Sequence, residues 1–339
     1  MSFTKKMVPI PISEFMSGGA IPVNVYIKLS NEKYVLIAKE GSKTSIQQMR
    51  TFEKQTVDTL YVEEGEYHRL VAQNITIADM VISRSDITQS KKADFLVKSS
   101  ASVMKQIEIF GFTRDSFENA KQVSQKTTTL IEAKPELYHI MQSLSTLSDD
   151  ILSHSVGTSA VAVMIGKMLG WTFKGTFEKV SLGGLLHDIG LRQIPKSILN
   201  KPKAYYTIEE FQVYESHPFK GMELLRTISN VPDDVVAIAY EHHENSIGQG
   251  YPRKLRDVRL NPLSKIVIMA DAFVELTLPM HGIPGKSPEE ALDYIERVLG
   301  QPFNKDAYQA LKMLVKTSTK LPLKKSEDDS DSDSDSDAA

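Results

Sequence analysis

The sequence predicts a small α+β domain followed by an all-α helical domain that contains a metal centre. Three observations favour this fold class. Short β-type runs separated by turn residues occur within the first 75 of the 339 residues. From residue 149 onward the apolar spacing is helical almost throughout. Five of the eight histidines fall into one pattern inside that helical part.

The first predicted domain spans residues 1–75. Its β-type runs lie at 22–29 (PVNVYIKL), 34–38 (YVLIA) and 59–62 (TLYV), with a helical stretch around 45–55. Turn residues separate these runs. The mixture is typical of a small α+β domain.

The next two segments are predicted to be helical. Residues 76–148 read as connecting helices, because long amphipathic patterns occupy 96–112 and 115–130. Residues 149–321 read as an all-α domain punctuated by prolines and glycines. No internal repeat of 20 to 50 residues occurs, so a solenoid is excluded.

Residues 322–339 are predicted to be a disordered acidic tail. The stretch 326–339 reads SEDDSDSDSDSDAA and carries seven acidic residues without a lysine or arginine. A run this charged and this poor in apolar groups cannot offset the entropy lost on ordering. An interaction segment and a solubility appendage remain equal interpretations of it.

Composition limits the kind of protein and the kind of metal site. An apolar content of 41% is enough to bury real cores. The absence of cysteine excludes disulfides and thiolate zinc fingers, so any metal must bind nitrogen and oxygen ligands. No window of 18 uncharged apolar residues could span a bilayer, and we expect a cytoplasmic protein without membrane or DNA partners.

Five histidines and two aspartates form a pattern typical of a metal site inside a helical bundle. In chain order they are His154, His187, Asp188, His217, His242, His243 and Asp271. Gaps of 33, 29, 25 and 28 residues between successive elements suit one ligand from each of several helices. Asp271 is the only charge in the apolar segment 266–274 (IVIMADAFV), where burying a carboxylate without a cation would be costly.

Each of these residues has an ordinary structural interpretation when taken alone. His187 could be a core or capping histidine, and His217 could end a helix before Pro218. The adjacent pair His242 and His243 could lie on the surface. Their joint occurrence favours the metal site instead.

The motifs in residues 150–300 resemble those of the HD-GYP subgroup of HD metal-dependent phosphohydrolases. The matching segments are LLHDIG (185–190), IPKSILNKP (194–202), YTIEEFQVYESHP (206–218), HPFKG (217–221), HHENSIGQGYP (242–252) and MADAF (269–273). A double histidine followed by GYP at this spacing is highly specific, whereas a single His-Asp pair is weak.

The resemblance implies an HD-type helical bundle around two or three metal ions. Iron is the expected metal, and manganese is the alternative. It implies hydrolysis of cyclic di-GMP by a metal-bridging hydroxide. The seven residues named above match the family's metal ligands, and Asp188 matches the carboxylate that bridges the nucleophile-generating metals. Glu244 matches an acid behind the ligands, and Gly250, Tyr251 and Pro252 match the signature loop. The N-terminal domain resembles a small, regulatory unit found ahead of such domains.

The sequence also departs from the family pattern. Leu191, Ile247 and Val274 replace a lysine and two aspartates, and LPMH (278–281) replaces a basic segment. Arg192 and Lys286 are the candidates for the missing lysine's role. Family members that bind three metals have a glutamate at the position of Asp150. Asp150 is therefore the candidate for an extra metal ligand. Its shorter side chain favours a site with two metals.

Three functional hypotheses follow. The first is an active cyclic di-GMP phosphodiesterase. The second is a metal-bound but catalytically weak module that senses or docks, with diguanylate cyclase (GGDEF) domains as partners; the loss of lysine at Leu191 favours it. The third is a phosphohydrolase of another nucleotide, because related folds serve many substrates.

Overall fold

A small antiparallel sheet is followed by helices, which is the fold class that the sequence predicts. The computed structural model describes residues 6–12, 15, 20–30, 33–42, 59–133, 137–145, 147, 149–279, 283–298 and 304–318. The strands are β1 (Met7–Pro11), β2 (Val25–Ser30), β3 (Lys33–Ala38) and β4 (Thr59–Glu63). They pair antiparallel in the order β1-β4-β2-β3.

Alternating side chains give the sheet one buried face. In β4, Leu60 and Val62 are fully buried, whereas Tyr61 between them packs edge-on against Tyr34. The runs predicted at 34–38 and 59–62 coincide with β3 and β4, and the run predicted at 22–29 overlaps β2, which begins at Val25. The predicted helix at 45–55 and the acidic tail at 322–339 lie outside the described residues.

Strand β1 was not predicted, because its sequence MVPIP has two prolines in five residues. Proline cannot donate a hydrogen bond to a central ladder, and it is tolerated at a sheet edge. Strand β1 occupies such an edge, with Pro9 opposite Tyr61. Edge position therefore explains both the strand and why its pattern is weak.

Four helices connect the sheet to the rest of the chain. They are α1 (Tyr67–Ser83), α2 (Gln89–Phe110), α3 (Arg114–Ala133) and α4 (Leu137–Leu144). The amphipathic patterns at 96–112 and 115–130 lie largely in α2 and α3. Buried polar contacts join α1 to α2, because Asn74 Nδ2 donates to Ser102 Oγ at 2.8 Å. The predicted boundary at residue 75 falls inside α1 and stays a prediction.

The remaining helices lie between residues 150 and 318. They are α5 (Asp150–Met168), α6 (Lys174–Leu186), α7 (Lys196–Leu199), α8 (Ile208–Glu215), α9 (His217–Arg226), α10 (Asp233–Glu241), α11 (Pro262–Thr277), α12 (Pro288–Arg297) and α13 (Lys305–Ser318). Helix α5 packs against α6 and α11, and α10 packs against α6 and α9. Ligands from these helices can therefore converge.

Helix α5 is long and apolar enough to cross a membrane by length and composition. However, 83% of its apolar window is buried inside the protein. Burial on every side is what an apolar helix at the centre of a folded domain requires. We therefore interpret α5 as the core helix of the domain.

Candidate metal centre

The seven predicted ligands come from five helices and meet in the interior. His154 and Asp271 project from within α5 and α11, and His217 is the first residue of α9. His187 directly follows α6, and His242 directly follows α10. Two clusters result. The first cluster is His154, His187 and Asp271, and the second cluster is Asp188, His217, His242 and His243.

The first cluster is held by a buried carboxylate. Asp271 Oδ1 lies 2.8 Å from His154 Nε2 and 3.6 Å from His187 Nε2. The two Nε2 atoms lie 3.2 Å from each other. All three side chains are buried, so the cluster concentrates ligand atoms in the interior.

In the second cluster Asp188 faces two imidazoles. Its Oδ1 lies 3.1 Å from His217 Nε2 and 3.3 Å from His242 Nε2. Its Oδ2 instead lies 3.4 Å from His187 Nε2, in the first cluster. One oxygen of Asp188 thus faces each cluster, which is the arrangement that a bridging carboxylate requires.

Backbone carbonyls fix the orientation of three imidazoles. His187 Nδ1 donates to Gly184 O at 2.7 Å, His217 Nδ1 to Tyr214 O at 2.7 Å and His242 Nδ1 to Ala239 O at 2.9 Å. A carbonyl oxygen can only accept, so Nδ1 carries a proton and Nε2 is the ring nitrogen that faces the centre. Metal-binding histidines are held in this way.

The donor atoms fit divalent metal ions. His217 Nε2 and His242 Nε2 lie only 3.0 Å apart. Each ring carries a proton on Nδ1, so in the neutral rings the lone pairs of the two Nε2 atoms face each other across this distance. In addition, Asp188 Oδ1 and His243 Nε2 are buried without a hydrogen-bond partner. Unpaired buried polar atoms are costly, and a cation between them removes both problems. Imidazole nitrogen and carboxylate oxygen suit transition metals.

Burial and neighbouring groups set the charges in this interior. Burial raises the pKa of Asp188, but the positive charge of His187 and the contacts with His187, His217 and His242 together outweigh burial, so the pKa lies well below its ordinary value. The pKa of Asp271 is also well below its ordinary value, because the contacts with His154 and His187 outweigh burial. Burial lowers the pKa of His243 well below its usual range. The aspartates are therefore anionic and His243 is neutral, as ligation requires. Burial lowers the pKa of His187, but Asp188 and Asp271 raise it well above its usual value, so a metal ion would replace the proton on its Nε2.

The signature loop packs directly on the second cluster. The Tyr251 ring stacks on His243 with centroids 4.6 Å apart, and Tyr251 N donates to His243 O at 3.1 Å. A Cβ on Gly250 would lie 2.3 Å from His243 O, so only glycine fits there. Glu244 accepts hydrogen bonds from Arg253 N and Leu255 N at 2.6 and 2.8 Å. Glu244 therefore anchors the residues that follow the loop.

The segment after the His-Asp pair lies tightly against α9. A Cβ on Gly190 would lie 2.0 Å from His217 O, so glycine allows this close approach. Leu191, at the position of the family's lysine, is buried with 8% exposure and lines a pocket above the centre.

That pocket has a volume of about 80 Å³ and exposes both clusters. Its described lining residues are Asp150, Ile151, His154, Asp188, Leu191, Leu199, Lys203, Tyr206, Tyr214, His243, Asp271 and Glu275. Sequence reasoning did not single out Lys203, Tyr214 or Glu275. Their signal was weak, because an isolated lysine or glutamate near a loop is ordinary until the fold places it at the site.

The two basic residues considered for the missing lysine's role are engaged elsewhere. The Arg192 guanidinium donates to the carbonyl of Glu108 on α2. The Lys286 ammonium lies 5.4 Å from the centroid of the Tyr294 ring. Neither is among the described residues that line the pocket.

Comparisons with known proteins identify a matching family and similar proteins. Residues 120–306 match the family model described as HD domain. The chain is 31% identical over 192 residues to a cyclic di-GMP phosphodiesterase of Thermotoga maritima, covering 54% of this chain and 50% of that protein. It is 31% identical over 134 residues to a cyclic di-GMP phosphodiesterase of Pseudomonas aeruginosa, covering 40% of this chain and 32% of that protein. The chain thus spans a third to a half of these relatives' length.

A solved structure extends the likeness to the whole fold. Bd1817, a HDG"Y"P protein from Bdellovibrio bacteriovorus, matches with a TM-score of 0.72 at 22% identity. The match covers 92% of this chain and all of that chain. The resemblance that the sequence motifs predict is therefore confirmed.

Proposed function

The chain belongs to the HD domain family, and from this premise we propose that it is a metal-dependent phosphodiesterase that hydrolyses cyclic di-GMP. The observation that carries the proposal is the pair of clusters that share the two oxygens of Asp188. Two relatives named cyclic di-GMP phosphodiesterases, each 31% identical over the matched part, support the substrate.

The proposed cofactors are two transition-metal ions, one for each cluster. Iron is the preferred metal at both clusters, and manganese is the alternative. The seven residues of the two clusters would hold them. When bound, the ions supply an activated water and positive charge beside the phosphoryl oxygens. Asp150 lines the pocket together with His154, and we propose it as an additional metal ligand beyond the seven.

Hydrolysis adds water to phosphorus and breaks one P–O ester bond, leaving a linear dinucleotide with a terminal phosphate and a free hydroxyl. The protein's part is to hold the donor atoms in place. Backbone carbonyls keep three Nε2 atoms aimed at the centre, and Tyr251 covers one face of His243. Preorganised groups of this kind cost no reorganisation during reaction.

A second candidate function is a metal-bound docking or sensing module with weak activity. The observation that favours it is Leu191, which places an apolar side chain on the pocket wall where the family has a cation. Under this alternative the partners are diguanylate cyclase (GGDEF) domains. The division at residues 75, 148 and 321, the regulatory role of the N-terminal part and a cytoplasmic location belong to both proposals.

The test is turnover of cyclic di-GMP by protein reconstituted anaerobically with iron or manganese. We expect about two ions per chain by elemental analysis and linear product by chromatography. Asp271→Asn serves as the control that disrupts the first cluster. Two bound ions with no turnover would favour the docking module, whereas no bound metal would overturn both candidates.

A further inference from the structure

One ammonium group lies on the wall of the pocket above the metal centre. Lys203 is the only lysine or arginine among the described lining residues. Its Nζ lies 5.0 Å from the centroid of the Tyr214 ring, and that ring lies 4.8 Å from the His217 ring of the second cluster. Lys203 is therefore near the centre, although it begins only a short 3-10 helix (Lys203–Tyr205) between α7 and α8.

The pocket needs such a group. Asp150, Asp188, Asp271 and Glu275 line it with carboxylates, whereas a phosphate diester is itself an anion. Two metal ions would offset part of this charge. The position that would carry a lysine in the family holds Leu191, so no cation comes from that segment.

Lys203 is paired in a way that lets it be released. Its Nζ lies 2.8 Å from Glu275 Oε1, and the two side chains are 41% and 43% exposed. Ion pairs this exposed contribute little to stability. Glu275 lies one helical turn after Asp271 on α11, so the pair spans the pocket wall beside a ligand.

We propose that Lys203 is the phosphate-binding residue of this site and that a phosphate of the substrate displaces Glu275 from its ammonium. The inference rests on the proposed function, since it assigns a substrate contact to that reaction. Partial burial lowers the pKa of Lys203, but the Glu275 carboxylate raises it and the net shift is upward, so the ammonium is charged at neutral pH. The Tyr214 ring, which also attracts a cation, keeps the ammonium beside the pocket when Glu275 lets go.

The two partners give opposite predictions, which a structural ion pair would not. In metal-reconstituted protein, Lys203→Met should weaken binding of inorganic phosphate by roughly 10 to 100-fold, since a charged contact is lost. Glu275→Gln should tighten it several-fold, because the competing carboxylate is removed. Lys203→Arg should retain most of the affinity.

The matched control is Lys201→Met. Lys201 lies two residues away and binds Glu210 at 2.5 and 2.6 Å, and it is not among the described pocket residues. Its phosphate affinity should equal that of the unchanged protein. Calorimetry measures phosphate binding, elemental analysis checks metal content, and cyclic di-GMP kinetics should show the Lys203→Met loss mainly in KM.

The outcomes separate this inference from the proposed function. If Lys203→Met lowers phosphate affinity but the unchanged protein does not cleave cyclic di-GMP, the proposed reaction fails and the phosphate contact stands. If the unchanged protein cleaves cyclic di-GMP and Lys203→Met alters neither phosphate affinity nor KM, the inference alone is wrong. It is also overturned if metal-loaded protein binds no phosphate, or if Glu275→Gln weakens binding as Lys203→Met does.

Discussion

The buried face of the N-terminal sheet and the metal centre bury opposite kinds of group. Ile10, Leu60 and Val62 of the sheet are fully buried, and so are His187 and His217 of the centre. Apolar burial stabilises the sheet without any further partner. The centre instead buries carboxylate oxygens and imidazole nitrogens, which a bound cation would stabilise. The stability of the sheet should therefore depend on the volume of its buried side chains, and the stability of the metal centre on bound metal.

The largest effect that would test this contrast is removal of the shared carboxylate. Asp188→Ala should abolish binding at both clusters, because one oxygen of Asp188 faces each of them. Glu244→Ala is the control, since Glu244 anchors a loop and such outer residues typically cost about 10 to 100-fold in metal affinity. Elemental analysis after identical dialysis measures both. Equal metal retention in the two variants would mean that these roles are misassigned.

The next effect lies in the sheet. Leu60→Ala should lower the free energy of unfolding by about 2 to 5 kcal/mol, because it leaves a cavity in an apolar core. Leu36→Ala in the neighbouring part of the sheet is the matched control, and with 39% exposure it should cost clearly less. Denaturant unfolding measures the loss. The metal content should not change. A loss of metal in Leu60→Ala would show that metal binding depends on the core of the sheet.

A smaller effect concerns the pocket between the centre and solvent. Leu191→Lys should raise cyclic di-GMP hydrolysis or tighten its binding by about tenfold, because a cation near the phosphate stabilises charge that grows in the transition state. The gain should be larger in a Lys203→Met background, where no other lysine lines the described pocket. Steady-state kinetics with metal analysis measures it. No gain in either background would show that the Leu191 position does not reach the substrate.

The smallest effect is expected at the acidic C-terminal stretch. Deleting residues 326–339, which lie outside the described residues, should leave the melting temperature and metal content unchanged, because their sequence of acidic, serine and alanine residues offers little apolar surface to bury. Calorimetry of the full and shortened chains provides the comparison. A melting temperature lowered by many degrees would contradict the prediction.

The strands and the candidate ligands could be predicted from the sequence for different reasons. The runs at 34–38 and 59–62 carry β-branched and aromatic residues, which favour strands locally. Strand β1 was missed because Pro9 and Pro11 hide an edge strand whose pairing comes from β4. Asp271 could be singled out because it is one charge in an apolar segment. Lys203 could not, because nothing in its local sequence differs from a surface lysine.

The sequence by itself determined the fold class, the absence of thiolate ligands and the seven residues that converge. These depend on residue type and spacing, which are readable along the chain. Only the tertiary structure decided which nitrogen of each imidazole faces the centre, that the two oxygens of Asp188 face different clusters, and that Lys203 rather than Arg192 lies at the pocket. Each of these depends on contacts between residues far apart in the chain, and such contacts exist only after the helices have packed.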